Sequence, residues 1–215
     1  MEHSGSENQL LVVKSNAIKL LLINLFLISG LLFITGCSKN QDNIDLPIYD
    51  SIGGDFTLPS TLGKKFILSD YQGKVVLVNF GYTSCPDVCP MVLTRLARIS
   101  NQLIEQFAVG SNELQTIFIS VDPERDTLDK LTEYLAFFNP DFIGISATLA
   151  ETDELAKRYA VFYEKQANEA MGYQMAHTDK IFLVDKRGRI RGLYDKTDPD
   201  EQLINDIHSL LSARI

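Results

Sequence analysis

Tryptophan is absent from the 215 residues, only three cysteines and three histidines occur, and no run of lysine or arginine exceeds two. Three cysteines are too few for a disulfide-built scaffold, so the chain must fold on a hydrophobic core. The lack of a basic block, with a net charge of -8, leaves no concentrated positive face and argues against nucleic acid as a partner. The same acidity is compatible with a basic protein partner or a metal cation. With 13 glycines and 7 prolines the chain is not collagen-like or low in complexity. No apolar run reaches the roughly 20 residues of a comfortable membrane span. The longest, Leu20 to Ile34, has 15 residues and is interrupted by Asn24, Ser29 and Gly30. What remains, 45% hydrophobic and 22% charged residues, is the composition of one folded soluble domain.

The Leu20–Ile34 run follows Lys14 and Lys19 and fits a signal peptide better than a membrane helix. Ile34-Thr35-Gly36-Cys37 resembles the bacterial lipoprotein signal, in which a lipidated cysteine becomes the mature N-terminus. Cys37 is then an anchor rather than a redox group. An uncleaved N-terminal anchor is the alternative, and both place the globular part outside the cytoplasm, in a bacterial cell envelope. The stretch ahead of the run is long for a leader and carries Glu2 and Glu7, which suggests a start codon further downstream. The expected organisation is a lipoprotein-type signal peptide over 1–36, a lipid-anchored polar tether over 37–51, and a domain over 52–215.

Within that domain, Phe56 to Leu58 and Lys65 to Leu68 predict a short hairpin. Lys74 to Phe80 and Leu114 to Val121 are nearly continuous apolar runs, the pattern of strands buried on both faces. Apolar residues at helical spacing predict a helix from about Pro90 to Phe107. Further helices are expected from an Asp126 or Thr127 cap to about Phe138, from a Thr152 cap to Tyr163, and from Pro199 or Asp200 to Leu211. Phe142 to Ile145 reads as a short strand. Lys180 to Asp185 and Arg189 to Tyr194 read as a hairpin turning at Gly188. The fold class is α/β: a mixed central sheet flanked by helices, with parallel central strands and an N-terminal β-hairpin.

Between the first buried strand and its helix lies Gly81-Tyr82-Thr83-Ser84-Cys85-Pro86-Asp87-Val88-Cys89-Pro90. Loops at the carboxyl ends of the strands are where open α/β sheets carry chemistry. A helix N-terminus favours thiolate over thiol, so both cysteines are expected to be unusually reactive. Cysteines four apart project to the same side, close enough for a disulfide or a shared metal ion. Two thiolates suit Cu(I), and an added imidazole gives a site that also accepts Cu(II). Structural zinc normally takes four ligands, and there is no second cysteine pair. A stabilising disulfide is the bland alternative, but one closing so small a loop limits chain entropy little.

GYTSCPDVCP, followed by SVDPERDTL (Ser120 to Leu128) and HTDKIFLVDKRGRIRGLY (His177 to Tyr194), resembles the Sco/SenC family over the domain from about Ile52. The resemblance implies a thioredoxin-like fold and copper bound by Cys85, Cys89 and His177. It also implies a role in assembling the binuclear copper centre of cytochrome c oxidase. The partners would be the copper-centre subunit of the oxidase and a periplasmic copper donor; for the oligomeric state, which the sequence does not reveal, a monomer is the default expectation. The alternative is a thiol-disulfide reductase acting on the oxidase cysteines, with Cys85 attacking and Cys89 resolving. A thiol peroxidase on a related fold is a third reading, which leaves the histidine motif without a purpose.

Other candidates have plainer accounts. Asp122 of the Asp122–Asp126 segment is a candidate to sit beside the metal and tune its charge, although turn formation, capping and an Arg125 ion pair explain most of that segment. Tyr82 is a candidate wall of the site, and Asp179 or a backbone carbonyl could orient His177. Met171 and Met175 read as packing residues before auxiliary ligands. His3 falls in the leader, and His208 in the last helix reads as solvated or core-edge. Asp195 to Glu201 reads as solvated turn and helix-start residues.

Overall fold

The computed structural model describes residues 45–110 and 112–213; the predicted signal peptide with His3, and Cys37, lie outside the described residues. In chain order the elements are β1 (Thr57–Pro59), β2 (Lys65–Ile67), a 3-10 turn (Leu68–Tyr71), β3 (Val75–Gly81), α1 (Val88–Phe107) and β4 (Leu114–Ser120). There follow α2 (Leu128–Ala136), β5 (Ile143–Ile145), α3 (Leu149–Arg158), β6 (Tyr163–Asn168), β7 (Gly172–His177), β8 (Ile181–Val184), β9 (Ile190–Tyr194) and α4 (Asp200–Ser212).

The two apolar runs have no polar face to offer water, and they form the parallel centre of a five-stranded sheet ordered β5-β4-β3-β8-β9. Val75 lies opposite Leu114 and Gly81 opposite Ser120, so both strands end at the same edge. β5 continues the parallel set, whereas β8 runs antiparallel to β3 and β9 antiparallel to β8. On one face Phe80 and Phe182 meet Tyr159, which follows α3, and Phe56 packs on the same tyrosine. On the other face Phe118 meets Tyr134 of α2. A Cβ at Gly144 would lie 2.9 Å from Thr61 and 3.0–3.1 Å from Leu135 and Leu131 of α2. The expected mixed α/β sheet with an N-terminal hairpin is thus the architecture observed.

Several boundaries differ from expectation for identifiable reasons. α3 is capped by Thr148, not Thr152. The Thr148 hydroxyl accepts from the Glu151 N–H (3.3 Å) and the Glu151 carboxylate accepts from the Thr148 N–H (2.9 Å), a reciprocal capping box. Thr152 is instead buried in the first turn. Thr127 caps α2 by accepting from the Lys130 N–H, which leaves Asp126 free to point inward. α1 starts at Val88, two residues before Pro90, so Cys89 lies within its first turn. The segment from 163 to 177, expected as helix end and loop, is a separate antiparallel hairpin of β6 and β7. His177 therefore ends a strand. β6 reads Tyr-Glu-Lys-Gln-Ala-Asn and is largely exposed, so it carries none of the apolar alternation that reveals a strand.

Residues 46 to 49 bind along β9. Arg191 donates to the carbonyls of Leu46 and Pro47 (2.7 and 2.9 Å), and the Tyr49 N–H to the carbonyl of Ile190 (3.0 Å). Ile190 pairs with Val184, and Val184 with Val76, so this attachment lies at the end of the sheet opposite Gly81.

Asp185, at the β8–β9 turn, is buried with Arg191. It accepts from Arg191 (3.1 Å), from the Arg189 side chain (2.8 and 3.0 Å) and from the N–H groups of Arg187 and Arg189. Burial alone would raise its carboxyl pKa, but these donors together hold it below the ordinary value. A depressed folded-state pKa contributes stability above the unfolded pKa, near 4, that is lost as pH falls through the folded value. Asp185→Asn is therefore expected to lower the unfolding free energy by about 3–5 kcal/mol at pH 7 and to flatten the acid limb of stability. Denaturant unfolding at several pH values checks both.

Candidate metal centre

Because β3 and β4 stop together, the loops that follow them share one edge, and three ligand-type side chains meet there. The sulfurs of Cys85 and Cys89 and a ring nitrogen of His177 lie within 4.8 Å of one another. Cys89 Sγ is 3.4 Å from His177 Nε2. Bonds of about 2.0–2.3 Å to a common ion require this kind of spacing. No disulfide joins the cysteines.

The two thiols are held differently. Cys89 is 1% exposed, and Gly81 makes room for it: a Cβ there would lie 2.9 Å from Cys89 Sγ and 2.7 Å from the Phe118 ring. Cys85 precedes the helix and is half-buried, and its sulfur accepts from the Cys89 N–H (3.4 Å), an otherwise unpaired donor of the helix N-terminus. The Cys89 thiol hydrogen-bonds to the Cys85 sulfur, and His177 and the N–H groups of Cys89 and Asp87 add to this against the cost of burial. Together they bring the Cys85 pKa down to about 3. The same thiol bond, burial and the adjacent Cys85 charge push Cys89 strongly upward, with Asp126 adding to the effect. The expectation that both cysteines are reactive is thus corrected. Cys85 is pushed toward the thiolate, while the bond to Cys85 and burial favour the protonated form of Cys89.

His177 Nδ1 lies 2.9 Å from the Thr178 carbonyl oxygen. A carbonyl only accepts, so Nδ1 carries a hydrogen and Nε2 faces the sulfurs, as a donor to them when the ring is protonated and as a lone pair for a metal ion when it is neutral. Of the two orienting groups considered from sequence, the backbone carbonyl takes the role, and Asp179 instead pairs with Lys196 (3.7 Å). Tyr82 is buried and meets the imidazole edge to face, with centroids 5.7 Å apart. Burial raises its phenol pKa, with the neighbouring cysteines adding to the effect, so it stands as a neutral wall.

Asp122 hydrogen-bonds to neither cysteine nor to His177. Its carboxylate accepts from Arg125 (2.5 Å) and from the Tyr173 hydroxyl (2.8 Å). Asp126 is the carboxylate that supports the cysteine loop, and sequence reasoning gave it only a capping role. It is fully buried and accepts from the Thr83 N–H (2.9 Å), the Thr83 hydroxyl (2.5 Å) and the Ser120 hydroxyl (2.7 Å). Met175 is buried in the core and Met171 is exposed at the hairpin turn, in keeping with packing roles. His208 stacks on Phe107.

The SCO1/SenC family model matches residues 47–212. The SCO2-like protein of Rickettsia conorii is 29% identical over 201 residues, covering 89% of this chain and 96% of its own. The mitochondrial SCO1 homolog of Homo sapiens is 32% identical over 151 residues, 70% of this chain and 48% of its own. The crystal structure of Arabidopsis thaliana ScoI with copper bound superposes with a TM-score of 0.68 at 32% identity, over 73% of this chain and 98% of that one.

Two outcomes are expected at this site. In reduced, metal-free protein iodoacetamide is expected to modify Cys85 first, at a rate changing little between pH 8 and pH 5, with Cys89 reacting only on unfolding. An ordinary thiol, with a pKa near 8.5, slows about tenfold per unit over that range, and such a slope or equal labelling would contradict the assignment. Gly81→Ala is expected to cost about 1–3 kcal/mol by overpacking and to displace the Cys89 sulfur, readable as faster Cys89 labelling.

Proposed function

The chain belongs to the SCO1/SenC family, a thioredoxin-like fold, and we propose that it is a membrane-tethered copper chaperone whose cargo is held by Cys85, Cys89 and His177. The observation that carries this reading is the convergence of the two sulfurs and a ring nitrogen of His177 within 4.8 Å of one another, with Cys85 held toward its thiolate form. Two soft thiolates with one nitrogen suit Cu(I) and also accept Cu(II). Cys89 gives up its proton when the ion arrives, as thiolate ligation requires. Cys85 is partly exposed while Cys89 is buried, so an incoming thiolate reaches the ion from the Cys85 side, and ligands exchange one at a time without releasing free copper. The copper enters from a periplasmic donor and leaves to the copper-centre subunit of cytochrome c oxidase.

Residues 1–36 act as a lipoprotein signal, Cys37 carries the lipid, and residues from 37 to about 51 connect it to the domain of 52–215, on the outer side of a bacterial membrane. Residues 46 to 49, the described part of that connection, bind β9 at the end of the sheet opposite Gly81.

A second reading draws on the same split between the thiols. A low-pKa Cys85 above a protonated Cys89 is the arrangement of an attacking and a resolving thiol. Cys85 attacks a target disulfide and displaces one target thiolate. Cys89 then loses its proton and attacks Cys85, releasing the second thiolate and leaving the chain oxidised.

Anaerobic titration of the reduced chain is expected to reach one tight copper, with thiolate-to-copper charge-transfer absorption for Cu(II). The band should disappear in Cys85→Ser and Cys89→Ser and change in His177→Ala. Retention of an unchanged Cu(II) spectrum in His177→Ala would remove histidine from the ligand set. Reduction of an oxidised copper-subunit peptide by metal-free protein, faster than by a small dithiol, would move the main role to the reductase.

A further inference from the structure

His177 comes from a two-stranded sheet that shares no strand pairing with the central sheet, so its position relative to the cysteines depends on what docks that hairpin. Along β7, Tyr173, Met175 and His177 alternate onto one face. Met175 anchors that face in the core. Four residues before His177, Tyr173 makes three contacts with the segment after β4. Its hydroxyl donates to Asp122 (2.8 Å), its carbonyl accepts from Arg125 (3.0 Å), and its ring lies 3.6 Å from the Arg125 guanidinium carbon. Arg125 is in turn held by Asp122, whose side chain is 1% exposed, and its guanidinium also lies 5.7 Å from the Tyr82 ring. One residue further on, Asp126 holds Thr83 of the cysteine loop.

We propose that Arg125 and Tyr173 form a latch that positions His177: they fix the histidine hairpin to the same short segment that fixes the cysteine loop, and so set how closely the imidazole approaches the two sulfurs. The inference rests on the copper-binding reading for its functional consequence, though not for its geometry. Both are positioning residues, since neither reaches the three ligand atoms. Ring stacking and a forked hydrogen bond need the planar guanidinium, so lysine does not replace arginine here. Tyr173→Phe keeps the ring against Arg125 and removes only the bond to Asp122.

The test combines Arg125→Ala, Arg125→Lys, Tyr173→Ala and Tyr173→Phe, each with and without His177→Ala, in the full-length chain. With His177 present, Cu(II) affinity is expected to fall about 10–100-fold for the alanine variants and Arg125→Lys, and less for Tyr173→Phe. The loss should vanish in the His177→Ala background, where the thiols bind alone. Equal losses in both backgrounds, or none, would overturn the latch. Two metal-free readings complete the test: amide exchange along β7, and the His177 ring-proton shift that the Tyr82 ring imposes. Both are expected to change in the alanine variants, and Tyr173→Phe serves if those fold poorly. If His177→Ala by itself leaves copper affinity unchanged, histidine is no ligand and the latch has no consequence for copper. The metal-free readings then decide the latch, altered values supporting it and unaltered ones overturning it.

Discussion

Two buried carboxylates in the turn after β4 govern how the site is assembled. Asp122 and Asp126 are 2% and 0% exposed, and an ionised carboxylate taken from water is tolerated only when its oxygens are fully engaged. Neither finds all its donors within its own turn. Asp126 takes two from Thr83, in the loop after β3, one from Ser120 at the end of β4, and one from Lys130 of α2. Asp122 takes one from Arg125 beside it and one from Tyr173, 51 residues away in the β6–β7 hairpin. The chain cannot bury these charges without bringing the cysteine loop and the histidine hairpin to the same sheet edge. The desolvation cost of two carboxylates thus becomes a geometric instruction for three ligand atoms.

The second organising fact is the unequal treatment of the thiols. Gly81 opens space beside the sheet that the Cys89 sulfur fills, while the first turn of α1 directs an N–H at Cys85. The bond from the Cys89 thiol to the Cys85 sulfur favours the proton on Cys89 and the charge on Cys85, and burial of Cys89 and the N–H groups at the helix start add to this split. A site that can take a soft metal ion and also surrender it benefits from this asymmetry, because one ligand is anchored and the other is accessible. The same asymmetry suits thiol exchange, which is why the two functional readings share their residues.

The sheet was legible because its central strands have no polar face: Val75 to Gly81 and Leu114 to Ser120 admit little but burial between two layers. The cysteine pair was legible from its spacing and its place after a strand, and His177 from the three motifs taken together. The hairpin that carries His177 was not, because the polar residues of β6 have no alternation and its pairing is a tertiary fact. Thr152 reads as an N-cap from sequence, but the cap is Thr148, where the Glu three residues on completes the reciprocal pair of bonds. The Arg125–Tyr173 contact spans 48 residues and leaves no local trace. The burial of Cys89 likewise depends on Phe118 and Gly81, which belong to different strands.

The function proposed turns on whether Cys85, Cys89 and His177 together hold a single copper ion. X-ray absorption on the copper-loaded, full-length chain counts those ligands directly. The prediction is a first shell of two sulfur atoms and one nitrogen, with the outer-shell scattering of a single imidazole ring. A sulfur-only shell, or a nitrogen signal that persists unchanged in His177→Ala, would contradict it.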